Sequence, residues 1–154
     1  MDIPSTDKYE STDHSVTSAA DLGLLLLRLA VGAVFFIHGS QKVLGWFGGY
    51  GFHATIAGMT GMMHIPLALA YLAIAAEFLG GLGLIFGVLS RLSALGIFVN
   101  MVVAIVLVHM KHGFFMNWSG KQAKEGIEYH ILVLGMCAMI ILAGPGRLAI
   151  FKKM

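Results

Sequence analysis

The sequence predicts an all-α integral membrane protein, a four-helix transmembrane bundle, and three observations carry that reading. The 154 residues are 58% apolar and only 12% charged, with a mean hydropathy of +0.84, outside the range of soluble domains of this size. Four mostly apolar stretches, approximately Leu22–Leu44, Pro66–Leu89, Leu92–Met110 and Gly126–Ala143, approach the roughly 20 residues a helix needs to cross the hydrocarbon core. None alternates like a barrel strand, and backbone groups in lipid must be satisfied internally, so each stretch is helical.

The chain begins with a segment, 1–21, in which Asp2, Asp7, Glu10, Asp13 and Asp21 outnumber Lys8 among many Ser and Thr. It has too little apolar surface to fold and lacks the basic start and apolar core of a signal peptide, so a disordered, solvated acidic tail is expected. The membrane domain is expected over 22–150, with a short basic tail at 151–154. The formal charge of +2 is too small an excess for a nucleic-acid binder. Cys137, the one cysteine, lies inside the last apolar stretch, which excludes an internal disulfide and a Cys-x-x-Cys redox pair.

Four crossings put both termini and the tight Ser90-Arg91 hairpin on one side, and the longer connections, Gly45–Ile65 and Lys111–Glu125, on the other. Lys8, Arg91, Arg147, Lys152 and Lys153 fall on the terminal side against Lys42, Lys111, Lys121 and Lys124 on the loop side, so the positive-inside rule favours cytoplasmic termini. Trp46, Phe47, Tyr50, Phe114, Phe115 and Trp118 gather on the loop side as an interfacial belt. Gly80, Gly81, Gly83 and Gly87, with Gly32 and Gly39 in the first stretch, read as close helix contacts.

Ionisable residues within a span cost a few kcal/mol each by insertion scales and call for a partner or a function. Arg28, His38 and Lys42 fall within an arc of about 80° on the first helix, shared with Gly32, Phe35 and Gly39. Glu77 lies near the middle of the second span and must either pair with a cation such as Arg28 or His38, or be neutralised by a proton. Asn100 reads as interhelical glue, and on a regular helix it faces opposite His109. His109 and His112 share one face at the loop-side end of the third span, and Glu125 and Glu128 share one at the start of the fourth, whereas His130 points elsewhere. His38, Lys42, His109, His112 and Glu128, with Glu77 beneath them, suggest a polar pocket open to the loop side. No H-E-x-x-H or Glu-x-x-His signature accompanies them, and no metal is expected.

The run Leu27-Arg28 through His38-Gly39-Ser40-Gln41-Lys42, then Ala76-Glu77-Phe78-Leu79-Gly80-Gly81 leading to Leu89-Ser90-Arg91, resembles the DoxX family. So does His112-Gly113-Phe114-Phe115-Met116-Asn117-Trp118 followed by Glu125-Gly126-Ile127-Glu128-Tyr129-His130. The resemblance spans Leu22 to Leu148. It implies a small multi-pass protein of the bacterial cytoplasmic membrane, in a family named after a subunit of an archaeal terminal quinol oxidase. Its relatives are linked to thiosulfate oxidation with quinone as acceptor, to quinone and catechol resistance, and to membrane complexes that manage thiol and oxidative stress.

The expected function is a redox-associated membrane subunit binding a quinone or similar small aromatic in a pocket on the non-cytoplasmic side. Arg28, His38, Lys42, His109 and His112 are its candidate ligand-binding residues, and Glu77 and Glu128 its candidate proton-exchanging, catalytic residues. Haem-attachment, flavin and dinucleotide signatures are missing from the sequence. Electrons are therefore expected from a membrane or soluble oxidoreductase partner, and quinone is the one cofactor implied. The lipid bilayer is the other partner, and a homo-oligomer is left open. The alternatives are a non-enzymatic scaffold or assembly subunit, in which the same charges pair helices, and a small proton-coupled transporter.

Overall fold

A computed structural model describes residues 7–151. Its elements are α1 (Asp7–Val43), α2 (Gly51–Ala57), α3 (Leu67–Phe86), α4 (Ser90–Ala104) and α5 (Glu128–Ala143), with no strand among the described residues. Three helical stretches are long and apolar enough to cross a membrane, Ala19–Val43, Leu67–Phe86 and Ser90–His112, and α5 is a shorter apolar helix. Helix α1 begins at Asp7, within the segment expected to be a solvated tail. Residues 1–6 of that tail and 152–154 of the basic tail lie outside the described residues.

The helices pack in the order α1, α3, α4, α5, with a thinner contact closing α5 onto α1. Val31, Phe35, Leu84, Ala94, Ile97, Met101, Val133, Cys137 and Ile140 form the core between them. Leucines, valines and phenylalanines elsewhere on the same helices face outward, Leu72, Leu79, Leu92, Val99 and Leu132 among them, as bilayer-facing surfaces do. With hydrocarbon on both sides of the comparison, tight backbone approach replaces the hydrophobic force. A Cβ on Gly39 would lie 2.5 Å from the Phe78 Cα, and one on Gly81 would lie 2.5 Å from the Phe36 N. Gly80 turns instead toward Ser93 and Ile97 of α4. The glycine-rich stripe of α3 thus serves two neighbours.

The segment after α5 and the Asp21–Arg28 stretch of α1 meet at the α3–α4 hairpin end. Ile150 and Phe151 donate backbone N–H bonds to Phe86 O and Gly87 O, Arg28 Nη2 donates to Leu148 O at 2.9 Å, and Arg147 N donates to Asp21 at 2.8 Å. The opposite end carries the two long connections. The first holds α2 and continues through a π-turn, Gly58–Met62, with Phe52 stacked on Tyr71 of α3. The second is clasped to the start of α5 by backbone bonds from Gly126, Ile127 and Glu128 to Phe115, Gly113 and Phe114.

Candidate functional site

Helix direction decides which ionisable groups meet. Side chains on a helix lean toward its N-terminus, and α1 and α3 run antiparallel, with Gly39 opposite Phe78 and Gly32 opposite Gly81. Lys42, in the last turn of α1, therefore leans down into the bundle while Glu77 leans up toward the loops. They form an ion pair through Lys42 Nζ and Glu77 Oε2. Asn100, one turn above the contact of Gly96 with Ala76, donates from Nδ2 to Glu77 Oε1 at 2.8 Å. Both oxygens of a carboxylate that is only 5% exposed are thus held, one by a cation and one by an amide.

The partner expected for Glu77 on α1 was Arg28 or His38, and the structure supplies Lys42. The same lean carries Arg28, more than three turns lower on α1, farther from Glu77 and to the terminal end, where it is fully buried against Gly87. There it faces the C-terminal end of α3, whose carbonyls and dipole favour a cation. Its Nε and Nη1 have no partner among the described residues. His38 is exposed on the outer surface of α1 and lies apart from the cluster.

His109 and His112 fall where α4 departs from regular geometry. The helix widens into a π-turn at Ile105–His109 and tightens into a 3₁₀ turn at Met110–His112. A π-turn takes up about one additional residue, a rotation of about 100°, so His109 is no longer opposite Asn100. Asn100 reaches α3 while His109 packs at a 45° tilt against His130 of α5, ring centroids 4.1 Å apart, and bonds through Nδ1 to Glu125 O at 2.8 Å. His112 Nε2 is buried without a partner among the described residues. Glu128 accepts from Met116 N at 3.1 Å and Glu125 from Asn117 N at 2.5 Å, so both carboxylates fasten the second connection.

Two residues outside the sequence-based set belong to this end of the bundle. His130 is 5% exposed, and its Nδ1, like the Tyr129 hydroxyl, is buried without a partner among the described residues. Their signal in the sequence was an aromatic and an imidazole in the first turn of an apolar helix, facing away from Glu128. Among the described residues no three His, Cys, Asp or Glu converge as metal ligands do.

An apolar groove of about 850 Å³ runs along the outer seam of α3 and α4, from Met59, Met63 and His64 at the loop end to Val88 and Leu89 at the hairpin, and Asn100 is part of its wall.

The DoxX family model matches residues 23–110, a stretch that contains Lys42, Glu77, Asn100 and His109. The chain belongs to the DoxX family. It is also similar to the Bacillus subtilis (strain 168) protein named "Putative oxidoreductase CatD", with 32% identity over 130 residues, 84% of this chain and 85% of that protein. No solved structure matches the chain. DoxX membership and three membrane-length apolar helices make this a multi-pass membrane protein. The DoxX match ends before His112, Glu128, Tyr129 and His130, so the clasp and the first turn of α5 lie beyond it.

Proposed function

We propose that this DoxX protein is a redox-associated membrane subunit that binds a quinone or similar small aromatic, with the ligand's polar atoms directed at Lys42, Glu77 and Asn100. The observation that carries the reading is Glu77, a carboxylate kept inside a span by an ammonium and an amide. An intramembrane ionisable group of this kind marks a functional site by default. The residues fit such a ligand: Lys42 and the Tyr129 hydroxyl can donate to carbonyl oxygens, and Asn100 offers both a donor and an acceptor. His109, His130 and Tyr129, on the loop side of Glu77, are groups through which a proton could reach the carboxylate. Bound quinone would supply the two-electron chemistry, and the chain's residues would position it and manage protons. The relative's oxidoreductase name supports a redox role, and the electrons would be exchanged with a partner. The reading includes a membrane crossing by α5 and termini on the cytoplasmic side, favoured by the cation distribution.

The scaffold reading also has an observation in its favour, because Lys42 and Asn100 already engage both oxygens of Glu77. Titration of a short-chain benzoquinone into the protein in lipid nanodiscs, followed by heat, separates the two. A ligand site gives saturable binding that weakens by about tenfold or more, 1.4 kcal/mol, in Glu77→Gln while the melting temperature stays close to wild type. A scaffold gives no saturable binding and a melting temperature that falls in Glu77→Gln.

A further inference from the structure

We infer that the groove along the α3–α4 seam is a lateral binding site for an amphiphile, a hydroxylated aromatic head carrying an alkyl or isoprenoid chain, whose hydroxyl donates to the amide oxygen of Asn100. This deepens the proposed reading and rests on it: it adds the route from the bilayer, the place of the tail and the form of the head that is preferred.

Among the described residues, Asn100 alone both bonds Glu77 and lines the groove. Because Glu77 is ion-paired with Lys42, its oxygens accept, and the Asn100 nitrogen must be the atom turned toward it. The amide oxygen then becomes the outer end of a chain running Lys42, Glu77, Asn100, and an oxygen there selects a donor. A phenolic or quinol O–H meets that need; a bare carbonyl does not.

The rest of the groove suits a tail. Its α3 wall extends from Pro66 to Gly83, about 25 Å of helix, close to the roughly 30 Å thickness of the hydrocarbon core. From Asn100 to Leu89 it offers about 16 Å walled by Leu79, Leu92, Leu95 and Val99 over a floor of Gly80 and Gly96. The volume of about 850 Å³ falls in the range of small-molecule sites, roughly 300–1,000 Å³. At the loop-side mouth stands His64, held at φ 54°, in the left-handed region that histidine tolerates better than most non-glycine residues. A second copy of the chain fits less well, since a two-fold contact sets the same surface against itself and would place two concavities face to face.

The test uses benzohydroquinone with and without a decyl chain, and the dimethyl ether of the decyl compound, each titrated into the nanodisc-embedded full chain. Leu79→Trp and Leu95→Trp fill the tail stretch of the groove from lipid-exposed positions on separate helices, so misfolding of one leaves the other. The wild type should bind the decyl hydroquinone at least tenfold more tightly than its ether. Each filled variant should lose about tenfold in affinity for the decyl compound and keep wild-type affinity for the chainless one. Unchanged binding of the decyl compound in both filled variants, or equal binding of the ether, overturns the groove while chainless binding still upholds the Glu77 site. Failure of the wild type to bind any of the three overturns both.

Discussion

Lys42 and Glu77 meet because each leans toward the N-terminus of its own helix and the helices are antiparallel. Removing one charge of such a pair leaves the other uncompensated, at a cost of about 3–5 kcal/mol when the pair is fully buried. The Lys42 side chain is 34% exposed and that of Glu77 7%, so the cost is asymmetric. Lys42→Met, which keeps the apolar stem and strands the carboxylate, should destabilise the protein by about 3 kcal/mol. Glu77→Gln should cost less, because a freed Lys42 can extend from the last turn of α1 to the interface. Combining the two should restore most of the loss. Reversible denaturation in mixed micelles reads all three, and a double variant as unstable as Lys42→Met alone would show that the side chains do not interact. Glu77 was legible in the sequence because a carboxylate amid apolar residues has few innocent explanations. Its partner was not: a helical wheel ranks Arg28, His38 and Lys42 together by angle, and only the depth at which α1 meets α3 tells them apart. That depth is set by Gly39 and Gly81 and by no residue in the pair.

At the scale of elements, the spans were readable to within a few residues because hydropathy registers length directly. The turn at Ile105–His109 was not, since the run around it, Val102 to Met110, is uniformly apolar until His109. A regular wheel consequently set His109 opposite Asn100. The widened turn lets α4 address two neighbours, α3 through Asn100 and α5 through His109, without a break in the span. Glycines offer the sharpest test of the packing. Gly81 abuts the Phe36 backbone, whereas nothing lies within 4 Å of a Cβ built on Gly135. Gly81→Leu should therefore lower yield and melting temperature, with overpacking costing about 1–3 kcal/mol or more. Gly135→Ala should be neutral or stabilising by up to about 1 kcal/mol, the gain in helix propensity. Wild-type stability of Gly81→Leu in detergent would mean that this face of α3 meets lipid.

For the whole molecule, contacts of Asp21 with Arg147 and of Arg28 with Leu148 place that stretch of α1 and the segment after α5 together at the α3–α4 hairpin end of the bundle. With the termini cytoplasmic, as proposed from the cation distribution, cysteines introduced at Ser5 and Ser119 should label from opposite sides of the membrane, Ser119 from outside intact cells and Ser5 only after permeabilisation. Cys137 is fully buried and should give no background, and labelling of Ser5 in intact cells would invert the orientation. The polar residues then divide into two ends with different tasks. Arg28 fastens the terminal end, Glu125 and Glu128 fasten the loop-side connection, and Lys42, Glu77 and Asn100 stand between them inside the bundle. Ligand binding is proposed for that middle group, and photoaffinity labelling with a diazirine-bearing benzoquinone in native-lipid nanodiscs tests the proposal most directly. Peptides containing Lys42, Glu77 and Asn100 should carry the label, and excess unlabelled quinone should remove it. Label spread over the outward faces of α1 and α5, insensitive to competitor, would contradict the account.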